Sequence, residues 1–181
     1  MEIVNIAAYK FVSITDPLAW RDLLKSECAR LGLKGTIVLA EEGINLFLAG
    51  TRETIDQFLN YIHRPELFAG KFDVLDIKES ISDHQPFGKM VVRVAKEIIT
   101  MRRPDADPTV QVGQYVEATD WDALTADPEV TLIDTRNIYE TDVGIFRGAL
   151  DPRLDTFSEF PAWVEKNLDP AKHKKVAMFC T

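Results

Sequence analysis

The sequence has 181 residues, 46% of them hydrophobic and 28% charged, with a net charge of −8. That length suits one generous domain or two small ones, and no apolar run approaches the roughly 18 residues a membrane span needs. The acidity excludes a chain that coats nucleic acid indiscriminately. Only two cysteines occur, Cys28 and Cys180, far apart and without metal-type spacing, as expected of free thiols in a reducing compartment. Met1-Glu2-Ile3-Val4 lacks the basic and apolar segments of a secretory signal, so a cytoplasmic location is expected.

Taken in order, Glu2 to Ile14 reads as a strand, rich in Ile, Val, Ala, Tyr and Phe. Asp16-Pro17 starts a helix, with Asp as cap and Pro where no amide hydrogen is needed. Trp20, Leu23, Leu24, Cys28 and Leu31 recur at helical spacing and make Cys28 a core residue; Gly32 is the stop. Lys34 to Ala40 and Ile44 to Ala49 are two strands joined at Glu41-Glu42-Gly43 in a hairpin. A second helix opens at Gly50-Thr51 and carries Ile55, Phe58, Leu59 and Ile62 on one stripe. Phe72 to Ser80 and Lys89 to Ile99 supply further strands. Strand, helix, strand, strand, helix, strand is the split βαβ plan of ferredoxin-like and acylphosphatase-like α+β domains. Its antiparallel sheet has one face covered by helices, with the other face or an edge left for a partner, and the plan names no activity.

Charge reverses between Pro86 and Arg103, where Lys89, Arg93, Lys96, Arg102 and Arg103 face only Glu97. That strip is either a solvated sheet face or a set of phosphate contacts for RNA. Pro104 to Thr135 then holds eight acidic residues and no Lys or Arg. The proline-containing segment from Arg103 to Pro108 reads as a linker, giving a first domain over 1–103, a linker over 104–115 and a second domain over 116–181.

In the second domain Val112 to Val116 is apolar enough for a short strand or an entry segment, and Thr119 or Asp120 caps a short helix. Val130 to Asp134 is a strand ending in an acid. Gly144 to Pro152 contains turns and a very short strand. Phe157, Phe160, Trp163, Val164 and Leu168 mark a helix, and Val176 to Phe179 reads as a fully buried final strand. Strands alternating with helices predict an α/β domain with a mainly parallel sheet. Asp134 and Cys180 then fall at the same sheet edge, where such sheets hold their ligands. Asp134 alone could equally be a helix cap or a partner for Arg136, and Cys180 a small core residue. His63, His84 and His173 show no ligand spacing, and no metal, flavin or haem motif is present.

Leu132-Ile-Asp134-Thr-Arg136, then Tyr139-Glu140, Gly144-Ile145 and Gly148-Ala149, resembles the opening of a rhodanese domain, in which a later strand ends in the catalytic cysteine. The whole chain resembles one family, the rhodanese-domain tRNA uridine hydroxylases, formerly an uncharacterised family. The segments that carry the resemblance are Lys34 to Ile37, Glu42 to Asn45, Pro86-Phe87, Lys96 to Ile99, Asp134 to Asn137, Tyr139-Glu140, Phe160-Pro161 and Val176 to Thr181.

The resemblance implies an acylphosphatase-like domain before a rhodanese-like one, and an oxygen-dependent conversion of the wobble uridine (position 34) of certain tRNAs to 5-hydroxyuridine. Cys180 aligns with a cysteine taken to carry a persulfide, with Asp134 and Arg136 at the edge of its site. The anticodon arm of tRNA is the implied partner, with Lys89, Arg93, Lys96, Arg102 and Arg103 as candidate RNA contacts. Molecular oxygen is the implied co-substrate, with no cofactor assigned. The family continues from its Cys-Thr pair into a glycine-containing loop ending in arginine and a second cysteine, whereas this sequence stops at Thr181. The expectation is therefore a partial rhodanese-like domain, inactive by itself. The alternatives are a sulfurtransferase working through a Cys180 persulfide and a non-catalytic binding module.

Overall fold

The computed structural model describes residues 2–103, 105–108 and 110–180. The chain divides into two compact units, Met1–Ile99 with Asp107–Gln111, and Thr100–Ala106 with Val112–Thr181.

The first unit begins with β1 (Ile3–Phe11) and α1 (Pro17–Leu31). Both ends of α1 are written locally. The Asp16 carboxylate accepts from the Ala19 amide at 2.9 Å, Pro17 fills the first turn, and Gly32 takes the left-handed conformation (φ +66°) that ends it. β2 (Lys34–Ala40) and β3 (Gly43–Gly50) form the hairpin, and α2 (Arg52–Ile62) is capped by the Thr51 hydroxyl. α3 (Pro65–Phe68), β4 (Lys78–Ser82) and β5 (Met90–Val94) complete the unit.

The sheet order is β4-β1-β3-β2-β5. Its pairings are antiparallel except that β5 runs parallel to β2, so the sheet is mixed rather than wholly antiparallel. The fifth strand docks on the free edge of β2, a choice that no local pattern encodes. Alternate residues of the three middle strands (Val4, Ile6, Ile37, Leu39, Leu46, Leu48) pack against Leu24 and Cys28 of α1 and Ile55, Phe58 and Ile62 of α2. Each fully buried side chain of this kind contributes about 1.5–3 kcal/mol. Gly35 is required where it stands: its φ is +137°, and a Cβ there would overlap the Phe47 carbonyl oxygen of the neighbouring strand.

Two expectations for this unit are corrected. Phe72 does not open a strand; it is fully buried and packs edge-on to Trp20 at 5.3 Å, so β4 starts only at Lys78. α3 was not anticipated, and it delivers Phe68 into the same aromatic cluster. In both cases a large aromatic ring gains more from the helix-covered core than from a sheet edge.

Cys28 lies in that core with no exposure, and burial pushes its thiol up to about 12, with Glu27 adding to the rise. The folded state therefore keeps a proton that the unfolded chain gives up at about 8.5–9. The stabilisation is intact below that lower value and is lost as pH climbs towards 12. Between pH 9 and 11, Cys28→Ala should flatten the decline in unfolding free energy by up to about 1.4 kcal/mol per pH unit. Parallel curves for the two proteins in urea titrations would rule this out.

The second unit contains α4 (Ala118–Ala126), β6 (Val130–Asp134), α5 (Ile138–Thr141), α6 (Phe160–Asn167) and β7 (Lys175–Phe179). β6 and β7 pair in parallel, as strand–helix alternation predicts, and Leu150 and Leu154 bridge singly to Ile133 and Asn137. Ile133, Leu154 and Phe160 form its small core, backed by Phe157, Trp163, Val164 and Leu168.

One alternative is decided here and two expectations change. Val112 to Val116 is an irregular, exposed entry segment rather than a strand, because an apolar segment without a neighbouring strand has nowhere to place its backbone hydrogen bonds. Thr119 and Asp120 lie inside the first turn of α4, whose cap position is Glu117. β7 is not fully buried: Ala177 is covered, but Val176 and Met178 are 42% and 53% exposed. The cluster on Ile133 stops short of Met178, its neighbour in register, and an apolar run alone does not say how many faces of a strand are covered.

Candidate active site at the end of the parallel strands

β6 and β7 run in the same direction with Asp134 opposite Phe179, so Arg136 and Cys180 both emerge just beyond the carboxyl ends of the two strands. Asp134 is completely buried, a position a carboxylate occupies only when its oxygens are satisfied. Arg136 satisfies them. Its Nε donates to Oδ1 at 2.9 Å and to Oδ2 at 3.2 Å, its Nη2 to Oδ2 at 2.7 Å, and its backbone amide to Oδ1 at 3.1 Å. The same Nη2 donates to the Gly144 carbonyl at 2.7 Å, tying the following turn to the pair. Of the readings open to Asp134 besides a place at the site edge, a helix cap or a partner for Arg136, the structure has the ion pair.

The guanidinium also lies 5.6 Å from the centroid of the Phe179 ring, within cation–π range. Phe179 meets Phe146 edge-on at 4.8 Å and Trp121 at 6.1 Å. Arg136, Gly144, Ile145, Phe146, Phe179 and Cys180 line an open cleft of about 440 Å³. Cys180 is exposed there, in contrast to Cys28. Its negative charge, when ionised, adds to the rise in the Arg136 pKa, of which the Asp134 hydrogen bonds are the chief cause and against which burial works. The arrangement can hold an anionic sulfur beside a cation that is fixed from behind and roofed by aromatic rings.

Thr135 is a residue that sequence reasoning missed. Its amide and its hydroxyl both donate to the Phe179 carbonyl, at 3.0 Å and 2.8 Å, and so fix the peptide that leads into Cys180. The only sequence signal was its place between Asp134 and Arg136. Phe146 and Phe179 read merely as apolar residues, and their role as cleft walls depends on the turn.

The basic strip is divided. Lys89, Arg93 and Lys96 belong to the first unit and are exposed, whereas Arg102 and Arg103 belong to the second. Arg103 is engaged by Asp105 at 2.7 Å and Glu165 at 2.5 Å, which raise its pKa, and it holds the Asp105 carboxyl down to about 2. Among the described residues no group of three His, Cys, Asp or Glu side chains could hold a metal ion, and no helix is long and apolar enough to cross a membrane.

Comparison with known proteins agrees with the first unit's architecture. The family described as "UPF0176 acylphosphatase like domain" matches residues 3–98. The tRNA uridine(34) hydroxylase of Burkholderia cenocepacia (strain HI2424) is 49% identical over 187 aligned positions, covering 100% of this chain and 66% of that protein. The protein of the same name from Paraburkholderia xenovorans (strain LB400) is 47% identical, over 100% and 65%. The chain thus spans about two thirds of the length of the curated relatives it matches. Among solved structures, the acylphosphatase of Bacillus subtilis aligns with 51% of this chain and 99% of its own at 13% identity, with a TM-score of 0.35. At that score the likeness adds nothing to the strand order already described. The resemblance drawn from Lys34 to Ile37, Asp134 to Asn137 and the other matching segments is borne out by the names and identities of these relatives, and the chain belongs to the UPF0176 family with an acylphosphatase-like domain.

Proposed function

We propose that this protein works in tRNA modification, as the part of an oxygen-dependent hydroxylase that recognises tRNA and supplies the reactive cysteine for making 5-hydroxyuridine at wobble position 34. The observation that carries the reading is the cleft in which Cys180 lines one wall and the Asp134-anchored Arg136 another. Identity of 49% along the whole chain to a protein named tRNA uridine(34) hydroxylase supports the choice of substrate. In this reading residues 1–103 form the acylphosphatase-like domain, 104–115 a linker, and 116–181 the first part of a rhodanese-like domain. Cys180 carries the sulfur chemistry, Arg136 favours its anionic form, and Asp134 holds Arg136 in place. Lys89, Arg93, Lys96, Arg102 and Arg103 are the proposed contacts to phosphates of the anticodon arm, and Arg103 serves only after release from Asp105 and Glu165. The work is cytoplasmic and the second oxygen-containing substrate is molecular oxygen.

The decisive experiment is mass spectrometry of tRNA nucleosides from cells with and without the gene. Loss of 5-hydroxyuridine and its derivatives from position 34 is expected. Unchanged wobble nucleosides, together with lost sulfane-sulfur transfer to a thiol or cyanide acceptor, would move the protein to the sulfurtransferases.

A further inference from the structure

Strand β3 reads Ile44-Asn45-Leu46-Phe47-Leu48-Ala49, and its alternation sorts the side chains onto two faces. Ile44, Leu46 and Leu48 enter the core with no exposure. Phe47 points the other way and is 49% exposed in the middle of the sheet, on the same face as Tyr9, which is 40% exposed. The register extends its row across the unit: Lys78 on β4 lies opposite Ala7 on β1, Ala7 opposite Phe47, Phe47 opposite Thr36 on β2, and Thr36 opposite Val91 on β5. The rows on either side bring Lys34 beside Ala49 and Arg93 beside Val38, and Lys89 directly precedes β5.

This helix-free face has a consistent chemistry. Its strand positions (Ile3, Asn5, Ala7 and Tyr9 of β1; Asn45, Phe47 and Ala49 of β3; Lys34, Thr36 and Val38 of β2; Val91 and Arg93 of β5; Lys78, Ser80 and Ser82 of β4) include no carboxylate. The two edge strands carry Lys78 and Arg93, and neither these nor Lys34 and Lys89 enter an ion pair among the described residues. Ile98, held by Asn45 and the Glu42 carboxylate, and Gln85, held by Ala49, cover one part of this face and leave Ala7, Tyr9, Thr36 and Phe47 open. In a chain of net charge −8, a sheet face with cations at both edges, no carboxylate at its strand positions and an exposed aromatic ring at its centre complements a polyanion with flat, unpaired faces. A double-stranded helix offers phosphates but no open base for the ring, whereas single-stranded RNA offers both.

We infer that the open face of the first unit's sheet is a docking platform for single-stranded RNA, with Phe47 stacking on a base and Lys78 and Arg93 meeting the phosphates on either side. This rests on the RNA-directed reading above and deepens it, because that reading assigned no base contact in this unit.

The test is fluorescence anisotropy of a labelled oligouridylate against the 181-residue chain, with a fully paired RNA hairpin as comparison. The chain is expected to bind the single strand more tightly than the hairpin. Phe47→Ala and Phe47→Leu should each weaken binding by about tenfold, and Phe47→Tyr should retain it. Because Phe47 is half-exposed, the leucine variant keeps the apolar volume and separates lost stacking from any loss of fold. Arg93→Ala should weaken binding and reduce its salt dependence by about one counterion. Tight binding that is indifferent to Phe47→Leu overturns the platform and leaves the tRNA function standing. Absence of binding by the parent chain also overturns it, while the nucleoside analysis of gene-deleted cells judges the function independently.

Discussion

On the proposed function, cells whose own gene carries Cys180→Ser should lose at least about a thousandfold of their capacity to form 5-hydroxyuridine at position 34, as when a covalent nucleophile is removed from other enzymes. Serine has nearly the same shape, keeps a hydrogen-bonding group and leaves the pairing of β7 untouched, so the effect reports sulfur chemistry rather than folding. The argument is electrostatic and geometric. Cys180 lines a cleft with a guanidinium that Asp134 holds by side-chain and backbone hydrogen bonds, and a fixed cation favours an anionic sulfur over a neutral hydroxyl. Cys28→Ser makes an internal control for thiol loss, since that thiol is sealed in the other unit. Wobble nucleosides that stay at parental levels with Cys180→Ser would remove this cysteine from the reaction.

The second large effect concerns stability. Asp134→Ala leaves the Arg136 guanidinium, whose side chain is only 18% exposed, without its counter-charge. Breaking a buried pair from one side costs about 3–5 kcal/mol. Among the described residues the second unit's core cluster is small, with Ile133, Leu154 and Phe160 buried in it, so a loss of that size is enough to unfold it alone. Trp121 and Trp163 report on this unit by fluorescence, Trp20 on the other. Urea unfolding should therefore split into two transitions, with the one sensed by Trp121 and Trp163 moved to lower urea. The double variant Asp134→Leu with Arg136→Met should recover most of the stability, because it removes both charges, yet no uridine hydroxylation. If the single variant unfolds at the parental urea concentration, Asp134 is not the keystone described.

The parts of the fold that were legible in the sequence are those set by neighbouring residues. Asp16-Pro17 and Gly32 delimit α1 through backbone chemistry within a few positions, and the apolar stripe of α2 needs only its own period. The illegible parts depend on what lies across space. The parallel docking of β5 on β2 is a choice among edges. The fate of Phe72 was decided by Trp20 and Phe68, and the exposure of Val176 and Met178 by how far a neighbouring cluster reaches. The same division holds in the cleft. Asp134 and Arg136 stood out as charged residues at a strand end, and Cys180 as a thiol on the same edge. Thr135 did not, because its partner is the Phe179 carbonyl of another strand. Phe47 was hidden in the largely apolar run Ile44 to Ala49 until the register of β3 placed it on the face away from the helices.

The paired hydrogen bonds from Thr135 to the Phe179 carbonyl have a consequence for the order in which the cleft comes into being. Their two ends are 44 residues apart, and they meet through parallel strands, a pairing that no tight turn can bring about. The clasp between Asp134 and Arg136 joins residues two apart and needs no distant strand, so it is expected to form before the pairing of β6 with β7. Cys180 arrives at it only when the whole of β7 has been made and has zipped against β6. The cation precedes the sulfur, so the reactive pair exists only once the strand carrying the thiol has docked.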